Sequence, residues 1–335
     1  MKTREIILFI FLALMSIMGC SQKPSVFERT GDDIENKRLK SFEEIQRSIL
    51  KVICSAYYEN FYYSMPPPSN PKAELKELLL QKQMTTNSVS GTALVIFQST
   101  TKELLLSCHH IFDFEDTVRV YHRDSLGNKT DHLQIMSIKY DQRIFVSHKD
   151  ATRSLGRVLA FDKINDIALI ETKAPNNPLL ELPFKLSLRR RPELRFGQEV
   201  FMIGYPKGFL YIAKGLSSPS PYRNRYLISA PFNRGFSGGL VLAFEPNSAD
   251  YFLAGMANAM AYDGQMVLTP DEKTPELEHY REIPYTDQIY TKELKMINYG
   301  LTFAIKGNVI AGFIKAEQER LKMQGFSLPE SWFRD

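Results

Sequence analysis

A serine in a glycine-rich segment is the residue whose surroundings point most directly to chemistry. Residues 233–239 read Asn-Arg-Gly-Phe-Ser-Gly-Gly, so glycines stand on both sides of Ser237. A serine hydroxyl becomes a nucleophile when a neighbouring base takes its proton and N–H groups stabilise the oxyanion that forms. Glycine lets the backbone turn tightly enough to direct those N–H groups inward. The segment predicts a nucleophile, with a plain glycine-rich turn as the alternative.

Two further segments carry residues that could assist this serine. His109 and His110 follow the apolar residues 104–106, and Asp166 directly precedes the apolar residues 167–170. An imidazole can take the proton of a serine, and a buried carboxylate can fix the imidazole tautomer. The alternative for Asp166 is a surface residue at the start of a strand. The other histidines are interpreted as surface or core residues: His122, His132, His148 and His279.

The elements that must position these residues are mostly short strands. From residue 91 to residue 305 about twelve apolar β runs alternate with turn residues, and no strands alternate with long helices. This pattern predicts an all-β protein, a sandwich or a pair of barrels. Asn70 and Pro71 favour a helix over residues 70–81, and residues 308–322 have the spacing of a C-terminal helix.

Composition limits the broad class of protein. The 335 residues include 42 Lys and Arg against 38 Asp and Glu, and 44% are hydrophobic. These proportions exclude a wholly disordered chain and a membrane-embedded body. A net charge of +4 is too weak to indicate nucleic acid as a partner. Three cysteines do not make a disulfide scaffold. Cys54 and Cys108 are expected as free, buried thiols, with a disulfide between them as the alternative.

The first residues have the features of an export signal. Lys2 and Arg4 precede residues 6–19, an uncharged apolar run too short to cross a bilayer comfortably. The run ends Ile-Met-Gly-Cys at Cys20, which resembles a bacterial lipoprotein signal. The resemblance implies cleavage after residue 19, lipid on Cys20 and an exported, lipid-anchored protein of the cell envelope. An ordinary cleaved signal is the alternative.

The order His110, Asp166, Ser237 and the residues around them resemble the trypsin-like serine peptidases, in particular their HtrA/Deg branch. The matching segments, which span residues 49–314, are Ser-Gly-Thr-Ala-Leu at 90–94, Leu-Ser-Cys-His-His-Ile at 106–111, Asp-Ile-Ala-Leu-Ile at 166–170, Gly-Gln-Glu-Val-Phe-Met-Ile-Gly-Tyr-Pro-Lys-Gly at 197–208, the serine segment itself and Leu-Thr-Phe-Ala-Ile at 301–305. The residue after the histidine favours His110 over His109 as the base.

This resemblance implies two six-stranded antiparallel β-barrels with short helices, a C-terminal helix and an active site between the barrels. His110 and Asp166 would come from the first barrel and Ser237 from the second. The N–H groups of Gly235 and Ser237 would form the oxyanion hole, and no cofactor or metal is implied. A small apolar specificity pocket would be lined by Pro231, Ala257, Asn258 and Ala259.

The expected organisation is a signal peptide over residues 1–19, a lipidated tether over 20–40, a peptidase domain over 41–322 and a tail over 323–335. Within the domain, residues 57–90 and 261–298 are interpreted as inserts, and the basic run 189–191 as a solvated turn. No PDZ module is expected after the peptidase domain.

Three readings of the function stay open. The leading one is a membrane-tethered envelope serine endopeptidase acting on proteins or peptides. Phe236 and Arg234 depart from the family pattern beside the nucleophile, and they favour an inactive resting loop or a catalytically silent binding or scaffold lipoprotein. The third reading is an α/β hydrolase, because residues 235–239 also fit Gly-x-Ser-x-Gly; that fold needs a helix after the serine.

Overall fold

The first half of the chain forms a closed antiparallel barrel. The structure, a computed structural model, describes residues 26–124, 127–176, 178, 193–270, 289–329 and 332. Six strands close the barrel in the order β1-β2-β3-β7-β6-β5, and β4 pairs with β5 outside it. The strands are β1 (Ile49–Tyr63), β2 (Leu79–Gln98), β3 (Lys102–Ser107), β4 (Thr117–Arg123), β5 (Lys129–Ser147), β6 (Arg153–Asp162) and β7 (Ile167–Lys173).

The second half forms another closed barrel, in the order β10-β13-β12-β11-β8-β9. All its pairings are antiparallel. Two six-stranded antiparallel barrels in an all-β chain confirm the predicted fold class. The strands are β8 (Glu199–Gly204), β9 (Tyr211–Ser218), β10 (Arg225–Ile228), β11 (Leu240–Phe244), β12 (Tyr251–Pro270) and β13 (Ile289–Lys306).

Strand β9 was absent from the strands predicted by hydrophobic pattern. Its buried positions are the small residues Ala213, Gly215 and Ser217, whereas Ile212 and Leu216 are exposed. The apolar side chains of this strand therefore point outward. A pattern search that places apolar residues inside misses such a strand.

The part of the expected tether that the structure describes, residues 26–40, is helical. The role of residues 20–40 as a lipidated tether stays a prediction. Residues 26–40 belong to the helix α1 (Val26–Ile45), which the helices expected at 70–81 and 308–322 did not include. Its last turn supplies the packing, because the Phe42 ring lies 4.9 Å from the Phe201 ring and 5.4 Å from the Phe244 ring. Most of the other residues of the helix are polar or charged, so its apolar periodicity is weak. Residues 1–25, with the signal segment and Cys20, lie outside the described residues.

Both long inserts continue barrel strands as β-ribbons. Strands β1 and β2 stay paired in one register from Ile49↔Leu94 to Tyr62↔Gln81. The helix expected over residues 70–81 is reduced to α2 (Leu75–Leu78), because residues from Leu79 onward pair with β1. In the second barrel, β12 and β13 pair out to Pro270 and Ile289, and residues 271–288 lie outside the described part of the chain.

The C-terminal residues pack against the barrels. Two short helices, α3 (Gly307–Ala316) and α4 (Gln318–Met323), replace the single helix expected over residues 308–322. Ile310 and Ile314 are fully buried on the predicted apolar face. Within the described ranges, no helix is long and apolar enough to cross a membrane.

Candidate active site

Three predicted side chains meet between the two barrels. Nδ1 of His110 lies 2.6 Å from Oδ2 of Asp166, and Nε2 of His110 lies 3.0 Å from Oγ of Ser237. A carboxylate only accepts, so Nδ1 carries the proton and Nε2 is left to accept the serine O–H. The bonds therefore run from Ser237 to His110 to Asp166. This arrangement is able to remove the proton of Ser237.

The pairing of two strands places His110 beside Asp166. Strands β3 and β7 pair at Ser107↔Ala168, so the residues that follow β3 meet those that precede β7. The backbone N–H groups of His109 and His110 both donate to Asp166, at 3.2 Å to its carbonyl and 2.7 Å to Oδ1. Asp166 has a φ of 61°, in the left-handed region that Asp tolerates better than most residues.

The structure distinguishes between the two neighbouring histidines. His109 is buried and its ring stacks on Phe161 with 4.5 Å between ring centroids. The side chain of His110 is 44% exposed and faces Ser237. The geometry agrees with the alignment that favoured His110.

Thr92 of β2 holds the serine loop in place. Its N–H donates to the Ser237 carbonyl at 2.8 Å, and its Oγ1 donates to the Gly235 carbonyl at 2.7 Å. The same Oγ1 accepts from the N–H of Tyr205 at 2.8 Å. One threonine of the first barrel thus fixes two carbonyls of a loop that belongs to the second. In the sequence, Thr92 stands out only as a member of the matching segment at residues 90–94.

Two N–H groups of the loop remain open. Neither the N–H of Gly235 nor that of Ser237 donates to an acceptor among the described residues. The Arg234 carbonyl accepts from the N–H of Lys207 at 2.8 Å. Because a trans peptide directs its N–H opposite to its carbonyl, this bond turns the Gly235 N–H away from Lys207. Both predicted oxyanion donors are therefore available to a ligand.

Phe236 acts as an anchor for the loop. Its side chain is 1% exposed and lies in the core of the second barrel, with ring centroids 6.0 Å from Phe232 and 6.1 Å from Tyr211. The departure from the family pattern at this position is accommodated by burial. The described loop gives no support to the inactive resting conformation that this residue suggested.

Asn258 does something other than line an apolar pocket. Its Nδ2 donates to Oδ2 of Asp166, and its Oδ1 accepts from Arg225. Because Arg only donates and a carboxylate only accepts, these partners fix the orientation of the amide. Its carbonyl also lies 3.4 Å from Oγ of Ser237. Arg225 is a site residue that sequence reasoning missed, since β10 carries no motif.

The other members of the expected pocket differ in exposure. The side chain of Ala257 is fully buried in the core of the second barrel. Pro231 is exposed and Ala259 is partly exposed. The specificity pocket expected from Pro231, Ala257, Asn258 and Ala259 stays a prediction. A preference for small apolar substrate residues stays a prediction.

We expect Asn258→Ala to lower kcat/KM for a peptide substrate about tenfold. The variant removes a hydrogen bond to a carboxylate, and such bonds contribute more than neutral ones. The matched control is Asn224→Ala, whose amide donates to Oδ1 of Asn165 at 2.8 Å without touching the three site residues. Equal losses in both variants would contradict a specific role for Asn258.

The two described thiols are not suited to nucleophilic chemistry. Cys54 and Cys108 are free and buried, as expected. Burial raises the pKa of Cys54 to about 11 and raises that of Cys108 well above its ordinary value. A buried thiol held in its neutral form is unreactive.

Cys108, His110 and Asp166 are also the one group of potential metal ligands among the described residues. Sγ of Cys108 already donates to the Ala257 carbonyl at 3.4 Å, and His110 is bonded to Asp166. A metal ion there would have to displace these bonds. The donor set therefore fits a hydrogen-bonded proton relay better than a metal centre.

The comparisons with known proteins bear on this arrangement. Residues 91–246, just under half of the chain, match the family model described as a trypsin-like peptidase domain. The fold is trypsin-like. His110, Asp166 and Ser237 all lie inside the matched segment. No curated protein matches the chain.

Solved structures similar to the chain include an HtrA-type protease, AlgW, with a tripeptide, at 14% identity and a TM-score of 0.45. The match covers 84% of this chain and 64% of that one. A serine endoprotease from Yersinia pestis matches at 14% identity and a TM-score of 0.43, over 86% of this chain and 68% of that one. The chain thus spans less than two thirds of the length of the first of these structures.

The α/β hydrolase reading is wrong for this chain. The serine loop leads directly into β11, where that fold requires a helix, and the surrounding sheet is antiparallel.

Of the remaining histidines, His122 bonds the Tyr63 carbonyl at 2.9 Å and His148 is buried beside Ser154. His279 and the basic run at residues 189–191 lie outside the described residues.

Proposed function

We propose that this protein is a serine endopeptidase. Oγ of Ser237 attacks a peptide carbonyl while Nε2 of His110 takes its proton, and the carboxylate of Asp166 holds the imidazole and stabilises its charged form. The oxyanion that forms accepts hydrogen bonds from the N–H groups of Gly235 and Ser237. His110 then returns the proton to the leaving amine, and water releases the acyl group by the same steps.

One observation carries this proposal above the others. The hydrogen bonds of 3.0 Å and 2.6 Å that link Ser237, His110 and Asp166 join both barrels in the polarity that proton transfer requires. A catalytically silent scaffold would have no need for this order of bonds or for two open N–H groups beside the serine. The trypsin-like domain match supports the same reading.

The proposal is tested with purified protein and an unfolded polypeptide. Incubation of a reduced, unfolded protein with the wild-type chain is expected to give defined peptide fragments, identified by mass spectrometry. The Ser237→Ala variant prepared in the same way is expected to give none. Fragments produced equally by both would reveal a contaminating peptidase, and no fragments from either would favour the binding or scaffold role.

We propose further that the protein acts at the cell envelope of a bacterium, anchored by lipid on Cys20. Support comes from the charged start, the short apolar run and Gly19-Cys20. Two or three acyl chains anchor a protein stably. Cys20→Ser is expected to abolish lipid labelling and membrane association in the expressing cell. A mature amino terminus found downstream of Cys20, without lipid, would contradict the anchor.

A further inference from the structure

The ribbon formed by the first insert leaves one long strand edge unpaired. Strand β2 pairs with β1 along its whole length, but it pairs with β3 only from Leu94 onward. On the side facing away from β1, residues 79–90 have no strand partner among the described residues. At about 3.3 Å per residue, this edge is about 40 Å long.

The backbone groups that face this edge follow from the contact at Thr92. The N–H of Thr92 points away from β1, because it donates to the Ser237 carbonyl. The register with β1 has no irregularity between Leu94 and Gln81, and backbone polar groups alternate sides along a strand. The even-numbered residues therefore direct their N–H and carbonyl groups to the free side: Lys82, Met84, Thr86, Ser88 and Ser90.

This edge lacks the features that normally prevent pairing with another chain. Proteins protect exposed edges with charges, proline, bulges or short strand length. Residues 79–90 include no proline and a single charged side chain, Lys82. The neighbouring strands β1, β5 and β4 extend the sheet behind it, so the edge belongs to a four-stranded layer and not to an isolated hairpin. The edge is long, ordered and open.

The edge leads to the proposed nucleophile. Two residues after Ser90, Thr92 bonds the carbonyls of Ser237 and Gly235. An extended chain paired along β2 therefore passes from the tip of the ribbon to the serine loop. This continuity with the serine loop favours a substrate chain as the occupant of the edge.

We propose that the free edge of β2 over residues 79–90 binds an extended segment of the substrate polypeptide as an added strand. The proposal rests on the proposed peptidase function and names its substrate class: long, unfolded chains. Recognition uses backbone hydrogen bonds, so it depends little on substrate sequence. It requires substrate N–H groups, so a proline-rich segment is excluded.

Binding is measured without turnover, in the Ser237→Ala chain. The probe is a fluorescent, unstructured 24-residue peptide without proline, and its partner probe carries proline at alternate positions. The Thr86→Pro variant removes one outward N–H and leaves the ladder to β1 intact. Thr86→Val is the matched control, because it changes the side chain and keeps the N–H. Circular dichroism checks that both variants fold.

The proline-free peptide is expected to bind Ser237→Ala, with the dissociation constant raised about fivefold by Thr86→Pro and unchanged by Thr86→Val. The proline-substituted peptide is expected not to bind. In the active chain, Thr86→Pro should slow hydrolysis of the long peptide and spare a four-residue substrate. Loss of hydrolysis with retained peptide binding would count against the peptidase function alone.

Three results would overturn the docking proposal. Equal binding of the two peptides would show that the backbone N–H groups of the peptide are not needed for binding. Equal affinity of Thr86→Pro and Thr86→Val for the proline-free peptide would show that the peptide does not pair with β2. A dimer of the wild-type chain that Thr86→Pro converts to a monomer, measured by light scattering, would assign the edge to a second copy of this protein.

Discussion

Replacing Ser237 by alanine is expected to reduce peptide hydrolysis by at least about 10⁴-fold while leaving the fold intact. The side chain is small, and the loop around it is held by the N–H and the Oγ1 of Thr92 and not by the Ser237 hydroxyl. His110→Ala should be about as damaging, because a nucleophile without its base is equally inactive. The double variant should be scarcely slower than either, since the two residues act as one unit. Steady-state kinetics on a peptide substrate, with thermal unfolding as the check on folding, measure these effects.

The neighbouring histidine supplies the matched control for this series. His109→Ala changes the same residue type one position earlier, but His109 stacks on Phe161 and does not reach Ser237. Its effect is expected on stability more than on rate. If His109→Ala were inactive and His110→Ala active, the assignment of the base would be off by one residue. If the losses of Ser237→Ala and His110→Ala multiplied in the double variant, the two would not act together.

Gly235→Ala is expected to lower kcat about 100-fold or more. Gly235 has a φ of 102°, and a Cβ added there would lie 2.2 Å from the carbonyl oxygen of Tyr205. The backbone atoms of both segments would have to move, and the Gly235 N–H would leave its position. Loss of a single oxyanion donor typically costs about 10²–10³ in kcat. The measurement is kcat for a peptide substrate, compared with the rate of labelling at Ser237.

The variant Gly197→Ala distinguishes the effect of backbone strain from the effect of the steric clash with Tyr205. Gly197 also has a positive φ, 76°, but no atom lies within 4 Å of its added Cβ. We expect a stability loss of about 1 kcal/mol and nearly full activity from this variant. An active Gly235→Ala protein would contradict the role of this N–H in the oxyanion hole.

The sequence was most informative where chemistry restricts residue type. A serine between glycines, a histidine after an apolar strand and an aspartate before another predicted His110, Asp166 and Ser237, which the structure brings within hydrogen-bond reach. The all-β class was predictable because apolar runs alternate with turn residues, whereas the two barrels followed from the resemblance to the trypsin-like peptidases. The catalytic role of the three residues remains the proposal that the experiments above test.

Other features depend on contacts that no local pattern encodes. Asn258 and Arg225 meet only because β10 and β12 both pair with β13. The helix α1 forms over a polar segment because its last turn docks on Phe201 and Phe244 of the second barrel. The aromatic-rich residues 57–63, interpreted as part of an irregular insert, are strand because β2 and β5 pair on either side. In each case the deciding contact joins residues that are far apart in the sequence.

Covalent labelling of the serine tests the central claim most directly. A fluorophosphonate reacts with a serine whose hydroxyl is activated by a base and whose oxyanion is stabilised, so it reports both halves of the proposed machinery in one reaction. Mass spectrometry of the digested, labelled protein is expected to find the adduct on Ser237, with labelling abolished in His110→Ala and retained in His109→Ala. An unlabelled Ser237 in the folded wild-type chain, or equal labelling in His110→Ala, would contradict the account.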